Sequence, residues 1–374
     1  MKIAFDAKRA FHNHRGLGNY SRDTIRLLGQ FYPENEYLLY NPSQKNKIGF
    51  LPDGNFTEIN PTSVVGKLLP SLWRSSGMCY SLSKEKADIY HGLSQELPFG
   101  FRKTGAKGVV TIHDAIFMRY PELYSASYRA IFIKKNQYAC KVADKIIAIS
   151  EQTKRDVIEF FQADERKIDV VYQGCHPAFR GEITKDTIER TRMKYQLPQH
   201  FLLNVGAIEK RKNVSLILKA MHAGNIDIPL VIIGKESEYK KELVQMIDKL
   251  HLNNKVIFIH NAISPDLPAI YRIADLFIYP SFFEGFGIPI LEALYSSTPV
   301  ITSTGSCFEE TGGPGSRYIN PNDAEQLANT ISEIISSESA KQDMIHQGLT
   351  FAEKFKPDQI AQSLYDVYKS TLCL

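Results

Sequence analysis

The 374-residue sequence has little cysteine and almost no tryptophan, five residues of one and one of the other. The cysteines, Cys79, Cys140, Cys175, Cys307 and Cys373, are odd in number, scattered, and form no Cys-x-x-Cys pair. That pattern excludes a disulfide framework and argues against a zinc site. No run approaches the ~20 apolar residues of a membrane span, and the start, MKIAFDAKRA, places an acid at position 6 where a signal peptide would carry its apolar core. A cytoplasmic protein is the expectation. Low-complexity tracts and internal repeats are missing, which excludes a disordered or solenoid chain. Neither glycine-rich loop reads Gly-x-Gly-x-x-Gly, so a nicotinamide-dependent dehydrogenase lacks its fingerprint.

What is present is an ordinary globular balance, 43% hydrophobic and 23% charged residues, in a chain long enough for two domains. The net charge of +4 is uneven. Residues 1–179 hold 25 Lys+Arg against 18 Asp+Glu, and the remainder 20 against 23. A basic first half could face anionic lipid headgroups or a phosphate-bearing acceptor, as could Lys134, Lys135, Lys141 and Lys145 along one long helical pattern; a solvated surface is the plainer explanation. No nucleic-acid partner is expected.

Short apolar runs alternate with helical patterns. In the first half they are Lys2–Asp6, Tyr37–Tyr40, Phe56–Ile59, Asp88–His91, Gly108–Ile112, Lys145–Ala148 and Ile168–Tyr172. In the second they are Phe201–Val205, Leu230–Ile233, Val256–Ile259, Leu276–Tyr279 and Val300–Thr302. This is the pattern of parallel sheets covered by helices on both faces. It predicts two parallel-sheet α/β domains, 1–176 and 177–355, with a final helix at 356–374. Gly16-Leu17-Gly18 is expected in a loop between the first strand and a helix beginning at Asn19. His113 and Asp114 follow the buried run VVTI, at the carboxyl end of a strand, where open parallel sheets place ligands.

The densest pattern is YPSFFEGFGIPILEALYSSTPVIT, residues 279–302. A strand ends, Gly285 and Gly287 break the chain, and a helix resumes at Ile288. Backbone N–H groups at such a helix start lack intrahelical partners and sit at the positive end of the dipole, so they favour an anion such as a phosphate. Glu284 and Glu292 bracket this seat with seven residues between them. Carboxylates do not hold phosphate, so they suggest acceptors for hydroxyl groups, one on a sugar and one on a ribose; two solvated glutamates are the plainer alternative. The stretch resembles the donor-binding signature of retaining glycosyltransferases of family 4, a Glu-x7-Glu motif enclosing Gly-Phe-Gly and followed by Pro-Val-Ile. The resemblance extends over most of the chain. VVTIHDAIFMRYPELY is similar to the His-Asp segment of bacterial mannosyltransferases in that family, and Ser303 to Glu310 to its small-residue loop.

The resemblance implies the GT-B fold, two Rossmann-like domains facing across a cleft with the final helix crossing back to the first, and a retaining hexosyltransferase of surface polysaccharide synthesis. It implies Lys212, Glu284 and His113 as catalytic residues, with His113 donating a hydrogen bond to a sugar hydroxyl and Asp114 orienting it or helping to bind the acceptor. The donor-binding set it implies is Gly16, Gly18, Asp114, Gly206, Arg211, Gly285, Phe286, Gly287, Ile288 and Glu292. Ala207 stands where the family carries an arginine, so Arg211 is the alternative second cation. No Asp-x-Asp metal clamp occurs, so no metal and no cofactor are expected. The donor is a nucleotide-sugar, with GDP-mannose favoured and a UDP-hexose second; the acceptor is a saccharide, lipid-linked and met at the inner membrane face. A GT-B epimerase or a catalytically silent nucleotide-sugar binder is the rival.

Overall fold

The computed structural model describes residues 1–50 and 52–374. The chain divides into two compact units, Met1–Gly174 with Phe355–Leu374, and Cys175–Lys354. The boundaries therefore fall two residues and one residue before those expected at 176/177 and 355/356, and the last helix belongs to the first unit.

The first unit is built on seven parallel strands: β1 (Lys2–Asp6), β2 (Glu36–Tyr40), β3 (Phe56–Ile59), β4 (Ile89–Gly92), β5 (Lys107–Ile112), β6 (Lys145–Ala148) and β7 (Ile168–Val170), in the order β3-β2-β1-β4-β5-β6-β7. Their central members are buried on both faces, which is why they read as apolar runs without alternation. Residues on one face of this sheet, Ala4, Leu38, Tyr90, Val110 and Ile146 among them, form one core with Trp73, Met78 and Leu82. The closing helix Pro357–Leu372 packs on the opposite face of this sheet through buried Tyr368, whose hydroxyl lies 2.7 Å from His91 Nδ1, while Tyr365 stacks on Tyr32 with ring centres 3.7 Å apart.

The second unit repeats the plan with β8 (Leu202–Val205), β9 (Leu230–Ile233), β10 (Val256–Ile259), β11 (Leu276–Tyr279), β12 (Val300–Ser303) and β13 (Arg317–Ile319), ordered β10-β9-β8-β11-β12-β13. The β13 strand was absent from the sequence expectation: RYI is three residues long and opens on an arginine. In each unit the order reverses once, between β1 and β4 and between β8 and β11. Ligands of open α/β sheets bind beyond the carboxyl ends of the strands that flank such a reversal.

Gly16 and Gly18 depart from expectation. They do not form a loop but the first turn of a 16-residue helix, Gly16–Phe31. Gly18 is needed for packing: a Cβ there would lie 1.7 Å from the Asn13 carbonyl oxygen, a backbone atom that cannot swing away. Gly16 has nothing within 4 Å of that position. Gly18→Ala is accordingly expected to cost about 1–3 kcal/mol through overpacking, and Gly16→Ala to cost no such strain; urea unfolding of the two variants side by side checks the difference.

Candidate functional site

In the second unit the reversal point carries the site. The β8 strand ends at Val205 and runs through Gly206 into the turn Lys210–Lys212, while β11 ends at Tyr279 and leads to Glu284. Lys212 Nζ donates to Glu284 Oε1 at 2.6 Å and to the Tyr279 hydroxyl at 2.5 Å. Arg211 Nη1 reaches the same carboxylate oxygen at 2.8 Å and also donates to the Phe283 carbonyl, while its Nη2 donates to Glu209 Oε1. Residues 72 positions apart thus form one buried triad; the Glu284 side chain is 10% exposed and those of Lys212 and Arg211 are 12% and 14%.

The electrostatics follow from that burial. Desolvation alone would raise the Glu284 carboxyl, but the Lys212 and Arg211 charges override it and hold the group down at about 2. Burial, opposed by Glu284, lowers Lys212, with Arg211 adding repulsion. An ammonium carries three donors, and two are committed here, so the third can be offered to an anion. Gly206 keeps space beside it, since a Cβ at that position would stand 3.8 Å from Lys212 Cε and from the Tyr279 ring. Ala207, in the place of the family's arginine, is exposed.

The loop carrying the motif is held from behind. Ser306 Oγ accepts from the Glu284 N–H and donates to the Glu284 carbonyl, Cys307 Sγ donates to that same carbonyl at 3.3 Å, and Thr311 Oγ1 donates to the Phe286 carbonyl. This is what the small-residue segment after β12 does. The side chain of Phe286 is buried and anchors the loop, while Gly285 and Ile288 are only half-buried. Gly287 adopts φ 89°, ψ 47°, a left-handed conformation that a side chain would strain, and it caps the helix Ile288–Tyr295. Pro289 brings no N–H, and the Ile290 N–H bonds the Gly287 carbonyl at 2.9 Å. The anion seat is thereby narrowed to the amides at the very start of the helix.

Glu292 points one turn further on. Its Oε2 accepts from the Tyr271 hydroxyl at 3.0 Å, and the other oxygen is available to a hydroxyl of a ligand. Burial pushes this carboxyl up to about 7, against the Tyr271 bond, which pulls it down. The folded protein therefore holds an extra proton between the usual 4.5 and about 7, and stability falls as pH rises through that window. At about 1.4 kcal/mol per pK unit the whole shift would be worth about 3 kcal/mol, which partial solvent access reduces to roughly 2. Glu292→Gln is expected to remove this slope. Denaturant midpoints of the ligand-free proteins from pH 4.5 to 8 should converge at the acid end and separate above pH 7, with the variant the more stable.

In the first unit, His113 follows β5 and is buried. Its Nε2 lies 2.9 Å from the Leu93 carbonyl, which can only accept, so Nε2 carries the proton. Burial lowers the ring to about 4, so the imidazole is neutral near pH 7 and its Nδ1 is an acceptor. The expected donation to a sugar hydroxyl is corrected accordingly: the donor is spent on Leu93, and His113 can only receive a hydroxyl proton. The Leu93 carbonyl also takes the orienting role, and Asp114 Oδ1 accepts the Ile116 N–H at 3.1 Å.

A buried ion pair missed in the sequence lies at the carboxyl end of β1. Arg74 grips both Asp6 oxygens, at 3.2 and 3.0 Å through Nε, and reaches Glu96 at 2.7 Å; Lys135 joins Glu96 at 3.2 Å. Only the polar residue closing an apolar strand signalled it. With Lys145 also paired, to Asp169 at 2.9 Å, the lysine patch proposed along residues 134–145 loses two of its four members. Among the described residues no group of three or more His, Cys, Asp or Glu is arranged to hold a metal ion.

The family described as Glycosyl transferases group 1 matches residues 187–350, and Glycosyltransferase Family 4 matches residues 36–179. O-antigen chain mannosyltransferase B of Escherichia coli is 25% identical over 387 residues, covering 99% of this chain and 100% of its own. O-antigen chain mannosyltransferase RfbU of Salmonella typhimurium is 29% identical over 226 residues, 60% of each chain. Among solved structures, Anabaena HepE in complex with UDP and glucose superposes with a TM-score of 0.76 at 18% identity, over 99% of this chain and all of that one. Two Rossmann-like units, the matched families and the Glu284–Lys212 cluster at a strand-order reversal agree, and the chain belongs to the GT-B glycosyltransferases of the group 1 and family 4 type.

Proposed function

We propose that this glycosyltransferase moves mannose from GDP-mannose to a lipid-linked saccharide in surface polysaccharide synthesis, with retention of configuration and without a metal ion. The observation that carries the reading is the buried cation Lys212 beside Glu284 at the reversal point of the second sheet. The choice of mannose is supported by relatives named as O-antigen mannosyltransferases.

In this mechanism the diphosphate sits against the Lys212 ammonium and the helix start at Gly287. Glu284 accepts from sugar hydroxyls through the oxygen its cations leave open, and Glu292 accepts from the ribose. The acceptor hydroxyl forms the new C–O bond on the face from which the diphosphate departs. As the anomeric C–O bond breaks, its electron pair goes to the diphosphate, one of whose oxygens takes the acceptor's proton. No side-chain nucleophile is needed. Lys212 and the loop amides meet the charge that builds on the leaving group, the kind of preorganised stabilisation that dominates many enzymatic rate gains. The missing Asp-x-Asp supports the metal-free form.

A thermal-shift panel of nucleoside diphosphates and their sugars tests the donor. GDP-mannose at ~100 times its dissociation constant should stabilise by ~2.7 kcal/mol. A shift with UDP-sugars alone would replace the donor and leave the transferase standing. Turnover after exhaustive chelation tests the metal: a rate that vanishes and returns with magnesium or manganese ends the metal-free mechanism.

A further inference from the structure

We propose that Tyr368 of the closing helix is a positioning residue for His113, acting through a hydrogen-bonded chain, Tyr368–His91–Thr111–Tyr20, between that helix and the first sheet. The links are continuous. The Tyr368 hydroxyl lies 2.7 Å from His91 Nδ1, His91 Nε2 lies 2.8 Å from Thr111 Oγ1, and Thr111 Oγ1 lies 2.9 Å from the Tyr20 hydroxyl. The Tyr20 ring then stands at 89° to the His113 ring, with centres 4.6 Å apart.

The strands create the need for this chain. His91 closes toward the end of β4 and Thr111 toward the end of β5, each one residue on from a core residue, Tyr90 or Val110, so both point to the opposite face. Both are fully buried there, and buried polar groups require partners. The closing helix brings one, Tyr368, and the helix Gly16–Phe31 brings the other, Tyr20. Burial lowers the His91 ring to about 3, so it is neutral near pH 7. One of its nitrogens then donates and the other accepts, and the hydroxyls of Tyr368 and Thr111 take opposite roles. Removing either hydroxyl leaves a buried nitrogen unpartnered.

His113 needs a second restraint. Its Nε2 is held by the Leu93 carbonyl, but that atom lies nearer the axis about which the ring turns than Nδ1 does. The bond alone leaves the aim of Nδ1, the free acceptor, loosely set. The Tyr20 ring, half-buried beside it, fixes that turn, and its hydroxyl is anchored inward on Thr111. The closing helix also holds the far end of the same helix, where the Tyr32 hydroxyl donates to Gln362 Oε1 at 2.8 Å. The proposal rests on the reading of His113 as an acceptor for a sugar hydroxyl, and deepens it by naming what aims the ring.

Release of GDP from saturating GDP-mannose by full-length variants tests it. Tyr368→Phe keeps the ring and removes the link; it should lower kcat about 10–100-fold, the scale of a small misplacement caused from a distance. The thermal shift with GDP should stay as in the wild type. Tyr20→Phe should lower kcat by a similar factor, and the double variant by no more than the larger single, since links of one chain are not independent. Tyr365→Leu loosens the same helix without touching the chain, and should lower the unfolding midpoint while kcat is kept. In nitrogen NMR of histidine-labelled protein, the His113 ring signals should move in Tyr368→Phe and not in Tyr365→Leu. Wild-type turnover by Tyr368→Phe, losses that multiply in the double variant, or an equal loss of turnover in Tyr365→Leu overturns the proposal. Normal turnover by His113→Ala would instead overturn the site reading of His113, and the ring signals would then decide whether the chain holds it. Turnover of UDP-glucose alone would replace the donor, and the same variants are compared with that sugar.

Discussion

Lys212→Ala is expected to lower kcat by a factor of roughly 100–1,000, about 2.7–4 kcal/mol of barrier, the range for losing one charge-stabilising donor. The structure makes this the cleaner of two informative substitutions. When Lys212 is removed, Glu284 keeps Arg211 at 2.8 Å, so no buried charge is left alone. Glu284→Ala, by contrast, leaves Lys212 and Arg211 side by side with only Glu209 as counter-charge, so its loss of turnover should come with a loss of stability. The measurement is kcat and donor affinity for each purified variant, alongside its unfolding midpoint. A folded Lys212→Ala protein turning over at near the wild-type rate would remove Lys212 from the chemistry.

Arg74→Ala is expected to destabilise the first unit by about 3–5 kcal/mol, the cost of leaving a buried charge without its partner. Asp6 is 1% exposed. Burial alone would raise its carboxyl, yet the Arg74 charge and hydrogen bonds outweigh that and hold it below the ordinary carboxylate value. In the wild type this depressed group contributes stability above its unfolded value of 3.8, and the contribution is lost as pH falls through the folded one. In the variant the same carboxyl is raised instead, and protonation relieves the penalty. The gap between the two proteins should therefore narrow as pH is lowered from 7 towards 4, as urea midpoints would show. Asp6→Asn combined with Arg74→Met should recover part of the loss. A deficit that does not change with pH would mean that the defect is packing and not charge.

These two sites differ in how far the sequence betrays them. Parallel strands buried on both faces, such as LVII and LFIY, stand out as apolar runs, so both sheets were legible except for β13. Glu284 and Glu292 were legible because the glycine loop and helix start lie between them in one continuous stretch. That Lys212 bonds Glu284 directly was not, because the contact is made by folding across 72 positions. Arg74 and Asp6, 68 positions apart, had no motif to join them. The glycine pair at 16 and 18 misled in the other direction: a glycine excluded from bulk by a neighbouring carbonyl looks, in sequence, like one that opens a loop.

The second unit is, in chain order, an insertion within the first, because the last helix returns to join residues 1–174. During synthesis the first seven strands leave the ribosome without the helix that carries Tyr365 and Tyr368, and roughly 180 further residues must be made before it emerges. At about 5–20 residues per second that interval is on the order of 10–35 s. Throughout it His91 lacks its Tyr368 partner and Tyr32 its stacking ring. The half made first is thus the half completed last, its helix seat open to water until the final residues arrive.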